Sequence, residues 1–292
     1  MDTKRKLFIP KRAWVWWFSR YFLMKVLTIF WACKTKFKSV FCHNKKIIRR
    51  VKTLLFFVIK IIFISQPNHE GFMFVEMTRK KLVMAFVFNF LIFALEVVGL
   101  VLSIQRHGMN AFCYYTENSN YFAGIVSAVF CVVVLVCIFK KKLVPNWLHL
   151  LRFVSTVCLS ITILVVSFVF VPMFPKTAEI MMLQNSNLYE HFLCPTLSIM
   201  SFVLLENQVK LSKISVVFSL IPTIVYGVVI VILNVLKVVR GPYPFLLVYE
   251  IKWWLCALFL TGLFVIAVLT ALTIFAFHNY SNKRFSNRQN LV

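Results

Sequence analysis

Acidic side chains are nearly missing from this chain. Nine Asp and Glu, only Asp2 being an aspartate, stand against 33 Lys and Arg in 292 residues. A formal charge of +24 in a water-soluble protein would suggest nucleic acid. Here the basic residues flank long apolar runs and do not interleave with aromatics along a groove, so no nucleic-acid partner is expected. Glycine is scarce as well: the seven glycines form no G-x-G-x-x-G, no Walker loop and no GxxxG. Nucleotide-driven transport therefore lacks its phosphate cradle. The eight cysteines make no C-x-x-C and no pairing with histidine that would ligate zinc, and no motif calls for a metal or cofactor. Nothing alternates with the period of two that a membrane barrel strand requires.

What is present is apolar. Hydrophobic residues make up 61% of the chain and mean hydropathy is +0.84, too high for a soluble globule of this size. Six apolar stretches of about 20 residues, the length that a hydrocarbon core of roughly 30 Å demands, fall near 82–104, 119–139, 148–171, 188–205, 214–236 and 253–277. Each must be a helix, because hydrocarbon offers no partner for backbone N–H and C=O groups. The expected fold is all-α, a six-helix transmembrane bundle. Lys and Arg resist translocation. Arg79, Lys80 and Lys81 precede span one, Lys140 to Lys142 follow span two, Lys210 and Lys213 precede span five, and Lys283, Arg284 and Arg288 lie in the tail. The opposite loops hold Arg106, Lys176, Lys237, Arg240 and Lys252. The count favours both termini inside, a multi-pass protein of the plasma membrane.

Three regions follow: a basic extension over 1–76, a transmembrane domain over 77–280 and a short basic tail over 281–292. The extension holds 16 of the 33 basic residues and only Asp2, Glu70 and Glu76 in opposition. Its apolar patches, Ala13 to Phe30 and Thr53 to Ser65, are interrupted by Arg20, Lys25 and Lys60, and neither ends in a signal-peptide cleavage pattern. Two readings stand: interfacial basic helices on an anionic leaflet, or a true translational start at Met77.

Three segments break the apolar monotony: Tyr114 to Asn120, Tyr189 to Pro195, and Gly241 to Phe245. The topology puts all three on the outer face, where separate parts of the chain can build one site. Thr116 and His191 are the chemically suggestive pair, since a hydroxyl becomes a nucleophile only when a neighbouring base takes its proton. Asn118, Ser119, Asn120 or the tyrosine hydroxyls would serve an oxyanion. No acid is positioned to orient the imidazole: Glu190 projects about 100° from His191 around a helix, and Glu117 or Glu96 must be brought there by the fold. Each residue also has a plainer role. Thr116 suits the N-cap of span two, His191 an amphipathic place at headgroup depth, and the Pro242 and Pro244 segment around Tyr243 a rigid turn. Glu96, inside span one, is costly enough in hydrocarbon to be a functional residue by default. His149 and Arg152, near the inner start of span three, read as interfacial. Cys113 and Cys194 both fall near the outer face, leaving a disulfide open, while Ala123, Gly124, Ser127 and Ala128 give span two a small-residue stripe for close packing.

In Tyr114-Tyr115-Thr116, in His191 to Pro195 and in Tyr243-Pro244-Phe245 after a glycine, the chain resembles the androgen-induced-gene and ADTRP-like family of six-helix membrane proteins. The likeness covers about residues 82–277, and the polar stretch after Thr116 is closer to the family's bacterial branch. It implies a threonine hydrolase of lipid esters, with Thr116 as nucleophile and His191 as base. Membrane lipids would be its surroundings and a lipid ester its substrate. Glu96, Glu117, Asn118, Asn120 and Tyr243 would be the substrate or supporting residues. The rival reading is a non-catalytic carrier or lipid-binding protein that uses Glu96, Asn118, Asn120 and His191 as a polar pocket or proton-coupled site.

Overall fold

The computed structural model describes residues 79–140 and 143–289. The expectations for the basic extension, the Met77 start included, lie outside the described residues. Among the described residues six helices are long and apolar enough to cross a membrane: Arg79–Cys113, Tyr115–Lys140, Asn146–Met173, Leu188–Leu205, Lys213–Val235 and Trp253–Asn287. They are spans one to six below, and among the described residues there is no strand. The sequence-based spans lie inside these bounds to within a residue. The largest difference is at the end, where the last helix runs on through the expected tail to Gln289.

Spans three and four are not regular α-helices. Span three passes through a π-helical turn at Val166–Phe170 just before Pro172, and span four through another at Leu188–Leu193 just before Pro195. A proline cannot donate to the carbonyl four residues back, and a wider turn absorbs the mismatch. A third π-helical turn, Ser201–Leu205, ends span four.

Hydrogen bonds across the chain show which helix ends lie together. Lys81 Nζ donates to Asn207 Oδ1 at 3.4 Å and lies over the Phe285 ring, while Asn207 Nδ2 donates to Ser281 Oγ at 2.6 Å. The start of span one, the end of span four and the end of span six thus share what we call the terminal face. At the other end, Tyr226 donates to the Cys113 carbonyl at 2.8 Å, and the Tyr115 N–H donates to the Tyr243 hydroxyl at 2.8 Å. This is the opposite face.

The bundle has two kinds of interior. Span three packs on spans five and six through an apolar cluster that includes Phe153, Val157, Ile161, Phe245, Ala267 and Ala271. Spans one to four enclose polar side chains along most of their length. Glu190, Cys194, Ser198, Ser201 and Glu206 are all buried on span four or at its end. Glu190 to Glu206 covers roughly 24 Å of helix at 1.5 Å per residue, most of a hydrocarbon core of about 30 Å.

Candidate functional site

Beyond residue 78 the chain has six acidic residues, and four of them (Glu96, Glu117, Glu190 and Glu206) are buried inside the bundle. Ionised side chains are almost never fully buried unless paired, so their placement locates the site. Glu206 belongs to the terminal half, and the other three to the opposite half.

The three unusual segments do meet. Asn120 Nδ2 donates both to the Thr116 carbonyl, at 2.7 Å, and to the Glu190 carbonyl, at 3.0 Å, tying the start of span two to the start of span four. Tyr243 comes in from the loop between spans five and six. Its hydroxyl accepts the Tyr115 N–H, its ring stands edge-on to Tyr114 at 5.9 Å, and it stacks on Phe170 and Phe245. Burial pushes its phenol up to about 12, with hydrogen bonds from Thr116 and Tyr115 working the other way. The tyrosine therefore remains a neutral donor and acceptor across the physiological range. Gly241 makes the approach possible: a Cβ there would lie 2.3 Å from the Leu246 carbonyl oxygen.

This corrects the expectation that Thr116 caps span two. The helix begins one residue earlier, at Tyr115, and Thr116 sits within its first turn. The cap comes from the Tyr243 hydroxyl, which accepts the Tyr115 amide and, at 3.5 Å, that of Thr116. Asn118 fastens the preceding loop by donating to the Phe112 and Tyr114 carbonyls, both at 2.8 Å.

His191 lies in the π-helical turn that opens span four. Its Nδ1 donates to the Met181 carbonyl at 2.6 Å, which fixes the ring against the short helix Ala178–Leu183. A backbone carbonyl thus orients the imidazole where the sequence offered only acids to do so. Nε2 is buried with no partner. No hydrogen bond among the described residues joins His191 to Thr116. Cys194 carries a free thiol at 4.0 Å from the Ile92 carbonyl, so the disulfide with Cys113 is not formed.

The remaining carboxyls of the opposite half converge. Glu190 reaches span one at Gly99, where a Cβ would be 3.1 Å from its Cγ, and Glu96 reaches span two at Gly124, where a Cβ would be 3.0 Å from its own. The small residue of span two thus makes room for a glutamate, which gives the packing stripe its purpose. The Cys194 thiol stands beside Glu96, and Glu117 faces Glu190 while accepting from the Tyr121 hydroxyl at 3.0 Å. No hydrogen bond of ordinary length and angle reaches either oxygen of Glu96 or of Glu190, although the Cys194 thiol stands close to the first and the Ser186 hydroxyl and Glu117 close to the second; the buried Asn120 Oδ1 is likewise without one. Leaving an ionised carboxyl unpaired in a buried interior costs several kcal/mol, so these acids gather in one buried chamber where charge is disfavoured unless a positive group accompanies it. Among the described residues no three His, Cys, Asp or Glu side chains are arranged to hold a metal ion.

In the terminal half, the interfacial reading of His149 and Arg152 is overturned. Both are buried, at 1% and 0% exposure. Arg152 does not snorkel because it has a partner inside. Its Nε and one terminal nitrogen hold Glu206 at 3.0 Å, its other terminal nitrogen reaches Ser127 at 3.4 Å, and it lies 5.9 Å from the Phe130 ring. Ser201 Oγ and Asn89 Nδ2 also donate to Glu206, at 2.7 and 2.9 Å. Reading the sequence missed this network because its members come from four different spans. The signal was present in the acids themselves: Glu206 directly follows an 18-residue apolar stretch, and Asn89 interrupts span one. His149 stands apart, with both ring nitrogens buried and unpartnered.

No known protein family, curated protein or solved structure matches this chain.

Proposed function

We propose that this protein is an integral membrane carrier that binds a positively charged species, a proton or a small cation, in the chamber formed by Glu96, Glu117 and Glu190. The observation that carries the reading is the pair of buried carboxyls of Glu96 and Glu190 on facing helices, neither reached by a hydrogen bond of ordinary length and angle. Intramembrane acids of this kind mark ion and proton pathways. The basic flanks support a cytoplasmic position for both ends of the described chain, a reading in which these acids would lie in the outer half of the membrane and exposed side chains such as Phe168 would face lipid. A hydrophobic carbodiimide, which modifies protonated carboxyls in apolar surroundings, tests the chamber in nanodiscs. The expected result is a mass shift on peptides carrying Glu96 or Glu190. Modification confined to Glu179 and Glu250, the two acids of the loops, would overturn it.

One observation favours the hydrolase as a second reading. With Nδ1 donating to a carbonyl, His191 holds its Nε2 lone pair free, the tautomer a general base requires. The backbones beside the two residues are tied together, since Asn120 donates to the carbonyl of Thr116 and to that of Glu190, the residue before His191. The resemblance to the androgen-induced-gene family supports the same pair and a lipid-ester substrate. Labelling by a fluorophosphonate probe that is lost in both Thr116→Ala and His191→Ala would establish it. Labelling unchanged in both variants would dismiss it.

A further inference from the structure

We propose that a cavity at the end of span five binds the phosphate of a phosphodiester, with Lys237 and Arg240 on its charge and the Asn234 amide donating to one of its oxygens. The site shares no residue with the carboxyl chamber and does not depend on it.

The cavity lies on the opposite face, where the chain leaves span five and turns toward span six. Asn234, Lys237, Arg240, Tyr249 and Glu250 are among the residues that line it, and its volume is about 200 Å³. One water needs roughly 10–15 Å³, so the space takes a polyatomic group. Asn234 is the residue that asks for one. It is 4% exposed and lines the cavity, and among the described residues its side-chain amide makes no hydrogen bond. Buried amides are as a rule satisfied, and here the cavity is the side left open for a partner.

Both cations are held in place before any ligand arrives. The Tyr249 hydroxyl donates to the Val235 carbonyl, which fixes its ring, and Lys237 Nζ lies 4.9 Å from the centre of that ring. One terminal nitrogen of Arg240 meets both carboxylate oxygens of Glu250, at 2.9 and 3.1 Å. The remaining N–H groups of the guanidinium are left for a ligand, and phosphate is what that fork suits. Two cations against one acid leave a single positive charge, which one phosphodiester neutralises. A phosphomonoester, carrying about −1.5 to −2, would leave the site negative.

Lys237 is not spent on the helix end. The carbonyls of Ile232, Leu233, Asn234 and Val235 accept, in that order, from the Leu236, Val238 and Lys237 amides and from the Tyr249 hydroxyl. In this closing turn Lys237 has φ +56°, the left-handed position that glycine fills at least cost. A lysine there keeps an ammonium at the cavity where the backbone alone favours glycine. Depth points to the source of the phosphate. Trp253 and Trp254 open span six three residues beyond Glu250 and are exposed, and tryptophans gather at the headgroup level of a bilayer. The phosphodiester of a lipid sits at that level.

The test titrates the purified full chain in detergent with phosphatidylglycerol and reads the complex by native mass spectrometry. One saturating adduct is expected. Lys237→Gly removes the ammonium and eases the turn, so it should weaken the adduct about tenfold, the loss of one charge-assisted hydrogen bond, while the thermal midpoint stays level or rises. Arg240→Gln should weaken it by a similar factor and Asn234→Ala severalfold. Lys252→Gln takes the same charge from the same loop outside the cavity, and affinity should hardly change. No saturating adduct on the native chain, or native affinity in both Lys237→Gly and Arg240→Gln, overturns the proposal. So does an equal loss in Lys252→Gln, which would reduce the attraction to diffuse charge. Glycerophosphoglycerol, the same phosphodiester without acyl chains, separates the two sources: displacement of the lipid at equal concentration assigns the site to a soluble phosphodiester, and an undisturbed adduct assigns it to a lipid headgroup.

Discussion

An alanine at position 124 would bring its Cβ to 3.0 Å from that of Glu96, so two helices would have to part by several tenths of an ångström. Overpacking of this kind costs about 1–3 kcal/mol, and Gly124→Ala is expected to lower stability by that order in a detergent unfolding titration. Arg152 and Glu206 behave differently because each is the other's only full compensation. Removing one of a buried pair costs about 3–5 kcal/mol, whereas replacing both by apolar residues of similar volume is often close to neutral. Arg152→Met and Glu206→Met should each be severely destabilising, and the double variant should regain most of the loss. An additive double-variant result would show that the two side chains do not stabilise each other. Arg152 is also where reading the sequence reached its limit: its number and type suggested a snorkelling residue, since the acid that draws it inward lies 54 positions away. Glu96 was legible because its cost in hydrocarbon is local to its own span, whereas the matching Glu190 was dismissed for pointing away from His191. That direction is what carries it to Gly99.

At the scale of a helix, the start of span two separates capping from chemistry. The Tyr243 hydroxyl accepts the first amide of the helix, 128 positions away in the chain. Tyr243→Phe should therefore cost about 1 kcal/mol, the usual worth of a lost cap, read as a lower midpoint in thermal unfolding. Thr116→Val keeps the shape of a residue that is not the cap and should shift the midpoint far less. An equal loss in the two would return the cap to Thr116. The existence and the centres of the six helices were readable, because a run of some 20 apolar residues admits little else, but the polar ends that carry the first span to Cys113 and the last helix to Gln289 were not. The first turn of span two was not readable either, since an aromatic and a threonine before an apolar run look the same whether capped from within or from a distant loop. The π-helical turns of spans three and four were signalled only by Pro172 and Pro195, which mark a disturbance without saying whether the helix kinks or widens.

For the whole molecule, six candidate spans bring the two ends of the described chain to one face, and the reading of the basic flanks proposed above, with that face in the cytoplasm, is open to a direct test. Single cysteines placed at Lys176 and Arg240 on the native background should react with a membrane-impermeant maleimide added to intact cells, above the labelling of the native chain. Cysteines at Lys140 and Lys210 should react only after permeabilisation. The reverse pattern would invert the topology and put the carboxyl chamber in the inner leaflet.

The clasp between Lys81 and Asn207 has a consequence in time. The partners are 126 residues apart, and synthesis proceeds at about 5–20 residues per second. Span one therefore waits roughly 6–25 s in the bilayer before span four can reach it. Throughout that interval Glu96 has only its immediate successors for company. Until the fourth helix arrives, the acid site begun by span one is only half made.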